Sequence, residues 1–514
     1  MTTDAPPLLR STSTERLTPV RRLQSAIATN QLQEVPMRSF RAGPMVFGLL
    51  FTLATIITAV AAPLTAPTTL YLPVVVGPRG SAPPGGGGNL LVNAPYFAVA
   101  DVDDRFSELA IFWFGAVTPS QNYADVRLGY NDTELYVYVA IFDRRLWYDT
   151  TPEPADLTNW DAVTLYLDPS DGATLSASSH RFVAQFSGAG GRQYQAAYRA
   201  SGSAWTLANV AFTTRPGWRG EWMNDETDDR GWAMSFRVPF SSLGLSGRPT
   251  DGTRWRMALV VHDRDDRAGT PIPDQSWPPA ANLQAPSTWG TLRFGLPGYT
   301  PPAVAAPQTI TIRQGLNGAV VPDVGVGGGA VCGDGLDFWS EWGISTRDAG
   351  RGDFNVQNQS DIADWPCFAK YFVTFPLNGL PSGQAIVSAK LVLHQFGNSE
   401  PSQARPSLIQ ALTVGADWDE RTTNWNNAPL ATENVGAGWV DPLTTSSGWP
   451  GVRREIDVTR AVAGAYAAGT PLRLALYSAD SAYHSGKYFV SSDTGDWNAV
   501  GRPTLLVTIG APVR

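Results

Sequence analysis

Carboxylates and indoles collect at the ends of segments that read as β-strands, and these are the side chains with chemistry to offer. Residues 125–143 read as a hairpin. Val126, Leu128 and Tyr130 alternate with polar or small residues, Asn131-Asp132 supplies the turn, and Leu135 to Phe142 is rich in β-branched and aromatic residues. The hairpin ends in Asp143, Trp147 follows it, and the next strand opens with Trp160-Asp161 and closes at Asp168. Loops at strand ends are where a β-sandwich presents functional groups. The arrangement therefore points to a recognition surface more than to a reaction centre.

Other chemistries fare less well. Asp101, Asp103 and Asp104, and the run Asp263-Arg264-Asp265-Asp266, could offer hard oxygens to calcium. Neither run has a recognisable ligand spacing, and solvated turns are the competing reading. His180, His262, His394 and His484 are scattered without zinc-site spacing, so no zinc enzyme is expected. Cys332 and Cys367 are the only cysteines, and in an exported chain such a pair reads as a disulfide. No nucleophile elbow or phosphate-binding loop occurs. Glu221, Asp225, Glu226, Asp228 and Asp229 are dense enough to suggest a glycosidase pair, yet the stretch reads as a solvated loop. The expectation is no catalytic residue and no enzyme. A net charge of −8 with no long basic run argues against a nucleic-acid partner.

These groups must be positioned by sheets. The 514 residues include 50 Gly and 40 Pro with only 16% charged residues, a composition suited to all-β modules joined by many turns. Residues 1–43 read as a disordered leader. Within 44–62, Met45 to Ala62 is an uncharged apolar run preceded by Arg10, Arg16, Arg21, Arg22, Arg38 and Arg41. It is either a membrane anchor or a signal peptide, the latter favoured by Ala59-Val60-Ala61, and both place the rest of the chain outside. A Pro/Gly-rich linker spans 63–89, a β-sandwich 90–295, a second Pro-rich linker 296–307, and a β-jelly roll 308–511. Helix is sparse; the best candidate runs from Asp457 to Gly469, with Asp457 or Thr459 as N-cap and Gly469 as stop.

The first module resembles the family 9 carbohydrate-binding modules. The resemblance rests on the hairpin, on Trp160-Asp161 through Leu167-Asp168-Pro169, on Trp232 through Pro239-Phe240 to Leu243-Gly244, and on Trp255 to Asp263 followed by Trp277 and by Trp289 to Phe294. It covers nearly the whole module. It implies a β-sandwich that binds sugars, with structural calcium in some members. Sugar is recognised by stacking its C–H face on an aromatic ring and hydrogen-bonding its rim of hydroxyls. Trp160 and Trp277 stand where the resemblance implies a tryptophan clamp, with Asp161, Asp263 and Arg264 as polar neighbours and Trp147 in reserve. Trp232 and Trp255, opening strands, read as core.

The second module resembles the DNRLRE domains and the related family 96 carbohydrate-binding modules. Lys370 to Pro381, Ile386 to His394, Asp417-Trp418 through Trp425 to Pro429, Asp457-Val458-Thr459, Phe489 to Ser492 and Arg502-Pro503 follow that order of motifs. Cys367-Phe368 departs from the Arg that often opens the first of these strands, and the naming motif is absent. Trp418, Trp425, Asp419 and Glu420 could form a second sugar site, the alternative being a structural corner in which Trp packs and the acids hold backbone amides. The chain is therefore expected to be an extracellular or cell-surface monomer that binds polysaccharide or cell-wall glycan without transforming it. It would meet the membrane only through its N-terminal segment, and structural Ca2+ is the one cofactor in view. A cell-surface adhesion protein and a weak glycoside hydrolase are the alternatives.

Overall fold

The computed structural model describes residues 90–188, 193–328, 335–345, 350–358, 367–415, 418–445, 447–481 and 484–513. All belong to one compact unit, Gly80–Arg514. The leader, the export segment and the first linker lie outside the described residues. Among the described residues no helix is long and apolar enough to cross a membrane.

As the composition predicts, the architecture is all-β, in two sandwiches. In the first, one sheet runs in the order Leu91–Ala94, Gly290–Phe294, Arg254–Arg264, Ala162–Asp168, His180–Gln185, Tyr194–Ser201, Ala204–Leu207, with Pro271–Trp277 added on Arg254–Arg264. It faces a five-stranded sheet ordered Ala110–Thr118, Gln121–Tyr130, Glu134–Phe142, Gly231–Pro239, Thr213–Arg219. The expected hairpin is present, Tyr130 pairing with Leu135 and Tyr123 with Phe142. Its turn closes because Asn131 Oδ1 accepts from the N–H groups of Thr133 and Glu134, both at 2.9 Å, an Asx turn that replaces two ladder bonds.

In the second sandwich, one sheet is ordered Val304–Arg313, Thr504–Pro512, Ala385–Asn398, Lys487–Val490, Asp353–Val356, with Val452–Asp457 on Ala385–Asn398. The other is ordered Asp323–Gly327, Ala369–Phe375, Leu472–Ser478, Ser407–Val414, Ala431–Val440. The α-helix falls where expected, at Thr459–Ala468. Asp457 Oδ1 accepts from the Thr459 N–H at 2.9 Å, and Gly469 ends the helix in the left-handed conformation at φ 67°. Cys367 is disulfide-bonded; Cys332 lies outside the described residues.

The two sandwiches share one apolar core, which a flexible tether would not produce. Phe112, Trp113, Tyr123 and Phe142 of the first cluster with Phe372, Trp425 and Tyr477 of the second. The strand Gln121–Tyr130 is consequently buried on both faces after its first residue. The polar members of its alternating pattern face the second sandwich. Asp125 accepts from the Tyr123 hydroxyl (2.7 Å), the Tyr477 hydroxyl (2.9 Å) and the Asn358 amide (3.1 Å), while Arg127 Nε donates to the Ala479 carbonyl (3.1 Å). Side-chain amides of the second sandwich bond to backbone of the first as a further strand would. Asn426 accepts from Val117 N–H (2.8 Å) and donates to its carbonyl (2.9 Å), and Asn434 does the same for Asn93 (2.7 and 2.9 Å). At the centre Lys370 is fully buried, its Nζ 3.7 Å from the Trp425 ring centroid and 4.3 Å from that of Trp113, and 3.0 Å from the Tyr123 hydroxyl. Burial pushes its pKa well below the ordinary lysine value. The Pro-rich stretch expected as linker 296–307 is partly strand, since Val304–Arg313 pairs with Thr504–Pro512.

Candidate functional site: a carboxylate centre at the strand ends

Three strand ends bring four aspartates together. Asp143 follows the strand Glu134–Phe142, and Asp263 sits near the end of Arg254–Arg264 with Asp265 just beyond it. Asp161 precedes Ala162–Asp168, and the pairing of Ala162 with His262 sets it beside Asp263 and Arg264. Carboxylate oxygens of Asp143, Asp263 and Asp265 all lie within 4.8 Å of one another. Atoms that each ligate one calcium ion at 2.3–2.6 Å stand at most about 5 Å apart, so this spacing suits a shared ion.

The four carboxylates are not equivalent. Asp161 is committed to structure: its two oxygens accept from Trp147 N–H (2.7 Å) and Arg264 N–H (3.0 Å). Asp143 accepts from Arg145 N–H (3.1 Å) and from the Trp232 indole N–H (2.9 Å). Asp263, only 3% exposed, has no hydrogen-bond partner of good geometry for either oxygen, and Asp265 has one orphaned oxygen. Burial raises every one of these pKa values. Burial and then the charges of Asp263, Asp161 and Asp265 push Asp143 well above the carboxylate range. Asp263 is raised to about 8 by burial and Asp265, although the Asn122 side chain opposes this. Asp265 is raised to about 6 by burial, with Arg145 and Arg144 pulling the other way. Buried carboxylates this close must either stay protonated or share a cation. An all-oxygen donor set with orphaned buried oxygens fits a hard cation such as calcium, not zinc. Asp143, Asp263 and Asp265 would hold it.

This corrects several expectations from the sequence. Trp277 is 1% exposed, packed on Phe112 with ring centroids 4.4 Å apart, and Gly290 lies against the rim of its ring. It is core, because the strand Pro271–Trp277 turns that ring between the sheets. Asp161, Asp263 and Arg264 are buried as well, and Arg264 donates to the carbonyls of Asp263 and Thr158 instead of reaching solvent. Trp147 is buried and stacked on Trp160 (6.2 Å, 22°), so only Trp160, half-buried, keeps an accessible ring. The proposed tryptophan clamp therefore does not exist. Replacing Gly290 by Ala puts a methyl carbon 2.4 Å from the Trp277 ring, and the variant is expected to lose about 1–3 kcal/mol in urea unfolding. A neutral outcome would mean that the Trp277 ring can leave its slot.

The second predicted sugar site also closes. Trp425 is 2% exposed inside the shared core, and Trp418 is half-buried against Phe372 at 6.2 Å. Asp419 accepts from Arg421 N–H at 2.8 Å and Glu420 is half-buried, so the segment is the structural corner weighed above. Of the calcium candidates, Asp101 caps a 3-10 turn and pairs with Arg237 (2.6 Å), Asp103 accepts from the Tyr136 hydroxyl (2.8 Å), and Asp104 is exposed. Asp263 and Asp265, from the other acidic run, belong to the centre. Asp143 was visible only as a strand end, since nothing local in sequence ties it to a residue more than a hundred positions away.

Comparison with known proteins bears on the second sandwich. Residues 352–508 match carbohydrate-binding module family 96. No curated protein matches the chain. Two solved structures of a family 9 carbohydrate-binding module from Caldicellulosiruptor kristjanssonii, in complex with cellotriose and with glucose, are similar to part of it. Each is 16% identical at a TM-score of 0.29 over 41% of this chain, and covers 95% and 98% of the module respectively. The family 96 match falls within the second of the two expected modules.

Proposed function

We propose that the chain is an exported, non-catalytic carbohydrate-binding protein that holds polysaccharide or cell-wall glycan at the cell surface or outside it, in support of carbohydrate catabolism. The observation that carries this reading is the family 96 match over residues 352–508. The apolar run from Met45 to Ala62 behind an Arg-bearing segment supports export. The non-catalytic part of the reading rests on the same match to a family of binding modules. The carboxylate centre would serve as a structural calcium site that pins the loops at one end of the first sandwich.

Retention of the purified chain on a panel of insoluble polysaccharides tests the reading, with reducing-end release assayed in parallel. Binding is expected with dissociation constants on the order of 10⁻³–10⁻⁵ M for a short oligosaccharide, or roughly 4–7 kcal/mol. No reducing ends should appear. Failure to be retained on any glycan would remove the proposal and leave protein adhesion as the reading to pursue.

A further inference from the structure

Trp449 and Trp497 are 58% and 68% exposed, an unusual placement for the largest apolar side chains. They are not scattered. Trp497 meets Trp449 at right angles (5.0 Å, 88°), Trp449 lies on Phe396 (5.6 Å, 38°), and Phe396 lies beside Tyr488 (6.3 Å). Four separate segments supply this row. Phe396 comes from Ala385–Asn398 and Tyr488 from Lys487–Val490; Trp449 comes from the connection before Val452–Asp457, and Trp497 from the 3-10 turn Asp496–Gly501.

The backbone is shaped to display these rings. A register shift between Gln395 and Gly397 interrupts the pairing with Lys487–Val490 at Phe396, a bulge that re-aims one side chain. Leu391, Leu393 and Phe489 point into the core, so Phe396 and Tyr488 stand on the outer face. Gly397 leaves room for Tyr488, since a Cβ there would meet its ring at 3.2 Å. The turn that carries Trp497 is tied down at its end: His394 Nδ1 bonds the Gly501 carbonyl (3.1 Å), and Arg502 donates to the Thr494 carbonyl (3.0 and 2.6 Å). The rings are therefore held before any ligand arrives, which lowers the ordering cost of binding.

We infer that this row is the carbohydrate-binding face of the second sandwich and that its ligand is an oligosaccharide whose rings stack along it. The inference rests on the function proposed above; all four residues fall within the family 96 match. Two perpendicular indoles offer a floor for the C–H face of one sugar ring and a wall for its edge, and Phe396 and Tyr488 extend the floor along the chain direction. Charged groups on the same segments are already paired, Asp496 with Arg502 (2.8 Å) and Glu455 with Arg453 (2.7 Å) and Lys390 (2.6 Å). The face thus offers rings and hydrogen-bonding groups, and Arg313, paired through Thr504 with Val392, lies on the same outer side of the sheet with no ion pair among the described residues.

The test uses the full chain, its Trp449→Ala, Trp497→Ala and Trp497→Phe variants, and Trp160→Ala as a control. Titration with neutral hexasaccharides of glucose, xylose and mannose, and with a hexauronide, is read by calorimetry and tryptophan fluorescence. Each Ala variant is expected to bind the preferred sugar tenfold or more weakly at an unchanged melting temperature, Trp497→Phe to lose less, and Trp160→Ala to bind normally. Wild-type binding in both Ala variants, with binding lost in Trp160→Ala, overturns the inference and leaves the carbohydrate-binding reading standing. No binding of any sugar by the wild-type chain overturns both.

Discussion

In the presence of a chelator, the contribution of the carboxylate centre to the melting temperature, read as the difference between the chain and its Asp263→Asn variant, is expected to fall as pH rises from about 4 to about 8.5, and calcium at the upper end to restore it. The unfolded-state pKa of an aspartate is about 3.9. In the folded chain burial raises Asp265 to about 6 and Asp263 to about 8. A carboxyl group whose folded pKa is raised contributes stability that is complete below its unfolded pKa. That contribution is lost as pH passes through the folded value, so the window runs from about 4 through 6 to 8. Ligand binding stabilises by about 2.7 kcal/mol at a hundred times the dissociation constant, which for two sandwiches melting as one unit is roughly 2–4 °C. Calcium needs ionised ligands, so its effect should grow with pH across the same window. Asp263→Asn removes the group with two orphaned oxygens and should flatten both the pH slope and the calcium response. A calcium response that survives this substitution would place the ion elsewhere.

What could be read from sequence was local. The hairpin, its Asn131 turn and the Asp457–Gly469 helix were legible because alternation, turn chemistry and capping act within a few residues. What failed was long-range. Asp125 and Arg127 alternate with apolar residues and so read as solvent-facing, yet a second sandwich covers them, and no pattern within one module reports that. Trp277 and Trp449 look alike in sequence, each followed by proline, yet one fills the core against Phe112 and the other stands on the surface. The acids at strand ends were visible as a group. Their convergence depends on the Ala162–His262 pairing and on which sheet Asp143 leaves, both set only when the sandwich closes.

The shared core makes a second strong prediction: Trp425→Ala is expected to destabilise both sandwiches together, by about 3–5 kcal/mol. Trp425 touches Tyr123 (4.9 Å) and Phe142 (6.5 Å) of the first sandwich and Trp342 (4.8 Å) and Tyr477 (6.2 Å) of the second. Its ring is also the nearest of those around Lys370 Nζ. Truncation would leave a cavity on both sides and take from a fully buried lysine its closest ring. Lys370→Met, which removes the buried amine while keeping most of its volume, should cost much less, since a buried charge is itself expensive. Calorimetry of the wild-type chain should give one transition for the two sandwiches, and Trp425→Ala should move that whole transition downward. Two well-separated wild-type transitions, with only the later one shifted by the substitution, would show that the sandwiches fold separately. The single transition instead makes the spacing between their outer faces fixed, so any glycan bridging them must match that spacing without help from a flexible tether.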